Sequence, residues 1–179
     1  MYSGKVLQGY GFKFDTLYFT RGRWNYISPG AFDESLKTDH VRMLLEHDDS
    51  LCFGDNRSNL ILESDQFGLA FRCHLRKDKI SAHVTALALS KAFLDCSIGF
   101  EYRASDTTVR TISKTEVTFI TKATLQEISY LRAGACEQTS AVLEDADKVG
   151  PSLWEDCKAS RLVNDNKFTH LMRTLRDIQ

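Results

Sequence analysis

Residues 93–102, "FLDCSIGFEY", stand where a helical pattern ends and a strand pattern begins, and this change of period decides the fold. Upstream, "SAHVTALALSKAFL" (81–94) repeats Ala82, Ala86, Leu89 and Phe93 at steps of four, three and four, with Ser81 placed to cap, so the spacing predicts an amphipathic helix. Downstream, Ile98, Phe100 and Tyr102 share one parity while Ser97, Gly99 and Glu101 share the other, which predicts a strand with two different faces. A serine at such a junction commonly satisfies stray backbone groups in a turn. Whether Ser97 is that or a nucleophile depends on what the other segments bring near it.

Most of those segments alternate. Val6, Tyr10, Phe12 and Phe14 keep one parity and predict a strand over 6–14. Ser28 as N-cap and Pro29 at the first helical position predict a short helix carrying Phe32 and Leu36. In "HVRMLLEHDD" (40–49), Val41, Met43, Leu45 and His47 alternate, which predicts a strand over 41–47 with His47 on the face of three apolar residues. A hairpin is expected from strands at 60–63 and 69–75, the second pointing Leu69, Phe71, Cys73 and Leu75 inward, and further strands at 116–120 and 124–131. The fold class is therefore mainly β with flanking helices (α+β). Beyond Ala135 the chain turns charged and poor in β-formers, and after Pro151 a helical period joins Phe168, Leu171, Met172, Leu175 and Ile178 near 166–178. This divides the chain into a domain over 1–135 and an appendage over 136–179, a charged linker ending in an amphipathic helix.

Composition narrows the classes of function. A chain of 179 residues, 42% hydrophobic and 26% charged, suits one sizeable core, and no apolar run approaches a membrane span. A net charge of −1 gives no global attraction to nucleic acid or anionic membranes, so neither is an expected partner. The opening "MYSGKVLQGYGF" lacks the basic-then-apolar layout of a secretory signal, and the expected compartment is the cytoplasm. Five cysteines without a C-x-x-C pair argue against a disulfide framework or zinc knuckle and are expected to be reduced.

The chemistry-bearing candidates are His47, Ser97 and Glu127. Acyl transfer by serine needs a base, a group that fixes the tautomer of that base, and backbone N–H donors for the oxyanion. Histidine suits the base, and a carboxylate suits the orienting group. Bland alternatives stand beside each role. His47 also fits a strand-end residue bonded to Asp48 or Asp49, and Glu127, which by period two shares a face with Leu125, Ser129 and Leu131, also fits a solvated strand acid. His40, His47, Asp48 and Asp49 match no familiar metal-ligand spacing, so no metal is expected. Cys96 is a rival nucleophile, but in a strand it points away from the Ser97 face, so only one of the two can meet His47.

Taken in order, "LQGYGFKF", "YISPGAF", "LLEHDDSLCFG", "ESDQFGLAFRCHL", "SIGF" and "TLQEISYL" resemble the prohead serine protease family of tailed bacteriophages, related to the herpesvirus assemblins, over roughly residues 5–135. The resemblance implies His47 as general base, Ser97 as nucleophile and Glu127 as third member. It implies a small, mostly antiparallel β-barrel of the herpesvirus-protease type in which the Ser97 and His47 strands are neighbours, and it implies no cofactor. The activity implied is that of a phage- or prophage-encoded serine endopeptidase cutting the scaffolding segment of the major capsid protein, and itself, during procapsid maturation. That work takes place in the bacterial host cytoplasm, inside the assembling procapsid, with homo-oligomerisation left open. Residues 136–179 then hold self-processing sites or contact the scaffold. The alternative is a catalytically inactive capsid or tail structural protein built on the same barrel.

Overall fold

The first strand, β1 (Tyr2–Lys13), is buried along most of its length because it has an apolar layer on both faces. Leu7, Phe12 and Phe14 enter the main core, whereas Tyr10 packs on the other side with Ala70 and Leu153. That division requires a parity change within the strand. It occurs at Gly11, where Tyr10 pairs with Ala70 and Phe12 with Leu69, leaving one residue extra as a β-bulge. The computed structural model describes residues 1–153 except 15, 21, 91–94, 113 and 133–138, and the helix expected at 166–178 lies outside the described residues.

Twelve strands among the described residues form three four-stranded sheets. The first has the order β12 (Ser140–Asp145), β1, β7 (Gly68–Arg76), β6 (Leu60–Ser64). The second runs β2 (Leu17–Thr20), β3 (Arg23–Ile27), β10 (Thr115–Ile120), β9 (Thr107–Ile112). The third runs β5 (Asp48–Asp55), β4 (Arg42–Leu45), β11 (Thr124–Leu131), β8 (Asp95–Glu101). Pairing is antiparallel except between β3 and β10 and between β4 and β11. Side chains from all three sheets meet in one core, with Phe71 and Leu75 from the first, Ile27 and Ile120 from the second, and Met43, Ile128 and Tyr130 from the third. The architecture is mainly β as expected. Hydrogen bonding closes none of the three sheets into a barrel among the described residues.

Several local expectations change. The helix expected from Pro29 is a run of hydrogen-bonded turns, with Gly30 at φ +81°, before a single helical turn α1 (Ser35–Thr38). Helix α2 (Lys79–Leu89) begins earlier than Ser81, because Asp78 caps it by accepting from the Ser81 N–H at 2.7 Å. Its inward stripe is Ile80, Val84, Leu87 and Ala88, while Ala82, Ala86 and Leu89 of the expected stripe are exposed. Phe93 lies outside the described residues. The stretch 136–150, read as a charged linker, contributes β12, which runs antiparallel to β1 from Lys5↔Asp145 to Tyr10↔Ser140. Ala141 and Leu143 point inward and Val142 and Glu144 outward, so a short alternation diluted by acids suffices once β1 offers a free edge.

Candidate active site

His47 sits in a turn rather than a strand. Leu45 pairs with Asp48, so Glu46 and His47 form a two-residue hairpin loop between β4 and β5, and both have positive φ, +54° and +59°. Positive φ at both central positions is the signature of a type I′ turn, normally supplied by Asn-Gly. Two bulky residues in this region cost about 1–2 kcal/mol each, and such strain persists only where the surroundings over-determine it. Here β11 does so. Glu46 N–H donates to the Tyr130 carbonyl at 3.1 Å, His47 N–H donates to Ser129 Oγ at 3.1 Å, and Glu46 Oε1 accepts from the Arg132 N–H at 3.2 Å. The turn is thus stitched to the neighbouring strand, and its imidazole stands half in solvent.

Glu127 reaches that imidazole from β11. Its Oε1 lies 2.7 Å from His47 Nδ1, and Oε2 accepts from the Ser129 hydroxyl at 2.6 Å. The Glu127 side chain is only 10% exposed, and these bonds offset the cost of desolvating a carboxylate. The ionised carboxylate can only accept, so Nδ1 carries the hydrogen and donates to Oε1, and this tautomer leaves Nε2 as the acceptor.

A β-bulge sets which face Glu127 occupies. Leu125 pairs with Phe100 but Glu127 with Gly99, so Gln126 is an extra residue and the parity of β11 switches there. Leu125, Ile128 and Tyr130 consequently join the core, while Glu127 and Ser129 turn to the other face. Period two alone placed Leu125 and Glu127 together; the bulge separates them. Gly99, directly across from Glu127, is required by this arrangement. A Cβ there would overlap Glu127 Oε1 and lie 2.9 Å from its Cγ and 3.0 Å from its Cδ.

Ser97 pairs with Ser129 in the register of β8 and β11, so the Ser97 strand is not the neighbour of the strands flanking His47, as expected, but is separated from them by β11. Directly opposed residues have Cβ atoms about 4.5–5.5 Å apart, so Ser97 shares the face of Glu127 and Ser129 and neighbours the backbone of His47 through Ser129. The Ser97 hydroxyl forms no hydrogen bond to a described residue, His47 included. It is partly exposed and opens onto a pocket of about 320 Å³. Its neighbour Cys96 has the opposite environment. It is fully buried in the core across from Tyr130, and burial, with the nearby Asp95 charge adding to it, pushes its thiol pKa up. Thr139 further ties it down, accepting from the Cys96 N–H at 2.9 Å and donating to its carbonyl at 2.7 Å.

Ser129 has a larger part than its place in the sequence suggested. It is fully buried and bridges His47 and Glu127 with one hydroxyl, and the only local signal for it is its spacing of two from Glu127 in a β pattern. The four polar residues weighed as a metal cluster diverge. His40 Nε2 lies 3.8 Å from Asp55 Oδ1, Asp49 pairs with Arg42 at 2.9 Å, and Asp48 accepts from Ser50.

Residues 2–150 match a protein family described as Caudovirus prohead serine protease. Among solved structures the chain is similar to the protease of KSHV, crystallised with a hexapeptide phosphonate inhibitor, at a TM-score of 0.53 and 12% identity, covering 99% of this chain and 78% of that one. At that identity the likeness concerns the fold. No curated protein matches the chain.

Proposed function

The chain belongs to the caudovirus prohead serine protease family and is a serine peptidase, and from that premise we propose that it cuts the scaffolding segment of the major capsid protein, and its own chain, inside the assembling procapsid in the host cytoplasm. The nucleophile is Ser97, the general base His47 and the orienting acid Glu127. The observation that carries these roles is the 2.7 Å contact between His47 Nδ1 and Glu127 Oε1, which leaves Nε2 as the basic atom, with Glu127 on the face of the sheet that Ser97 shares. Ser97 Oγ attacks the scissile carbonyl as Nε2 takes its proton. The imidazolium, stabilised by Glu127, then protonates the leaving amine, and water repeats the sequence to release the acyl group. The hydrogen bond between Ser97 and His47 forms on substrate binding, since catalytic contacts are often long or poorly aligned before it. The barrel of the herpesvirus-protease type is the reading in which the three open sheets wrap one apolar core.

The test is co-expression with the major capsid protein carrying its scaffolding segment. Wild type trims the scaffold, and itself, at discrete sites read by intact mass, whereas a folded Ser97→Ala protein leaves both whole. A wild-type protein that leaves both whole favours the alternative, a structural capsid or tail component without turnover.

A further inference from the structure

We infer that the pocket beside Ser97 is a subsite for one large apolar or aromatic side chain of the substrate, with Phe19 as its specificity-determining wall; the inference rests on the peptidase reading of Ser97. The pocket, about 320 Å³, is at the small end of the ~300–1,000 Å³ range of ligand sites, a size for one or two side chains rather than a folded partner. Tyr18, Phe19, Phe100 and Tyr102 line it, Ser97 stands at one side, and among the described residues no Asp, Glu, Lys or Arg contributes to its walls. A charged side chain entering it would lose hydration without gaining a counter-charge from these walls, whereas an apolar one replaces water with aromatic surface.

The walls differ in rigidity. Phe100 is held by Phe32 edge-on at 5.8 Å and stacks with Tyr102 at 6.0 Å, and Tyr18 is held edge-on by the buried Phe12 at 6.0 Å. Gly11, at the β1 bulge, also borders the pocket without adding a side chain to it. Phe19, by contrast, is 60% exposed on the β2–β3 hairpin, where its partner is Trp24, 39% exposed, with ring centroids 5.3 Å apart. A phenyl ring left this open beside a nucleophile has apolar area still to bury, and a substrate side chain seated against it supplies the cover.

The test uses octapeptide pools in which one position at a time is fixed as Phe, Ser or Asp and the others are mixed. Two readouts are taken: cleavage by wild-type protein, and binding to the Ser97→Ala protein followed by Trp24 fluorescence in a Trp154→Phe background. At one position Phe should exceed Ser at least tenfold in both readouts, with Asp weakest, and Phe19→Ala should reduce that ratio to about two. Phe-selective binding that depends on Phe19, without any cleavage, supports the subsite and counts against the peptidase reading. Cleavage or binding without an apolar preference at any position overturns the subsite, as does a Phe19→Ala protein that keeps the wild-type ratio.

Discussion

Substituting Gly99 with alanine tests the site without altering any of the three residues assigned to the chemistry. Gly99 has no positive φ, so alanine is tolerated by the backbone, and the whole effect comes from the added methyl group. That methyl overlaps Glu127 Oε1 and crowds its Cγ at 2.9 Å. Elsewhere a flexible acid would swing aside at little cost, but here the carboxylate is held by His47 at 2.7 Å and Ser129 at 2.6 Å, and leaving them weakens two charge-assisted bonds. Losing one such bond costs about 1.5–3 kcal/mol, partly offset by the roughly 0.4–1 kcal/mol that Gly→Ala gains by stiffening the unfolded chain. A net loss of about 1–2 kcal/mol lowers Tm by roughly 2–8 °C in a domain of this size and leaves the protein folded at 25 °C. Activity should suffer far more. A misplacement of about 1 Å costs on the order of 10²-fold, and loss of the orienting acid in a serine triad about 10⁴-fold in kcat, so cleavage of a purified capsid scaffold segment should fall 10²- to 10⁴-fold. In a Glu127→Ala background, where the methyl has no carboxylate to displace, the same substitution should cost less than about threefold by the non-additivity of contacting residues. Wild-type cleavage by Gly99→Ala, or an equal loss in both backgrounds, refutes the reasoning.

Ser129→Ala leaves the His47 N–H and Glu127 Oε2 without their buried partner, so stability should drop by about 1–3 kcal/mol in a urea melt and cleavage by up to about 10²-fold. Cys96→Ala should cost about 1 kcal/mol and retain cleavage, and native Cys96 should resist iodoacetamide until the protein is unfolded, since its thiol is buried and its pKa is raised. Asp145, at the end of β12, is held down to about 2 by hydrogen bonds from Lys148 and Lys5. Its lowered folded pKa means that its contribution is complete above the ordinary aspartate value near ~3.9 and is lost as pH falls toward 2. Thermal melts of wild type and Asp145→Asn should therefore differ at pH 6, with the difference shrinking steadily as the pH is lowered from 4 to 2.

Much of this protein is local and so was legible in the chain. Strand periodicity in β7 and β8 needs only neighbouring side chains, and it is enough to put Cys96 and Ser97 on opposite faces whatever the rest of the fold does. The inward set Leu69, Phe71, Cys73 and Leu75 follows from the same alternation. Tertiary structure decided the features that depend on register between distant strands. The bulges at Gly11 and Gln126 each insert one residue and reverse the alternation, and nothing in "GYGFK" or "LQEIS" specifies the partner strand that leaves that residue unpaired. The Glu46–His47 turn is the same kind of case. Its residues favour the extended conformation that alternation predicts, and positive φ wins only because Ser129 and Tyr130, more than eighty residues later, accept their N–H groups. Local propensity differs by less than about 1 kcal/mol between such choices, whereas a strand pairing that satisfies several buried backbone groups is worth several times that, so long-range pairing puts Glu127 and Ser97 on one face and brings His47 to Glu127.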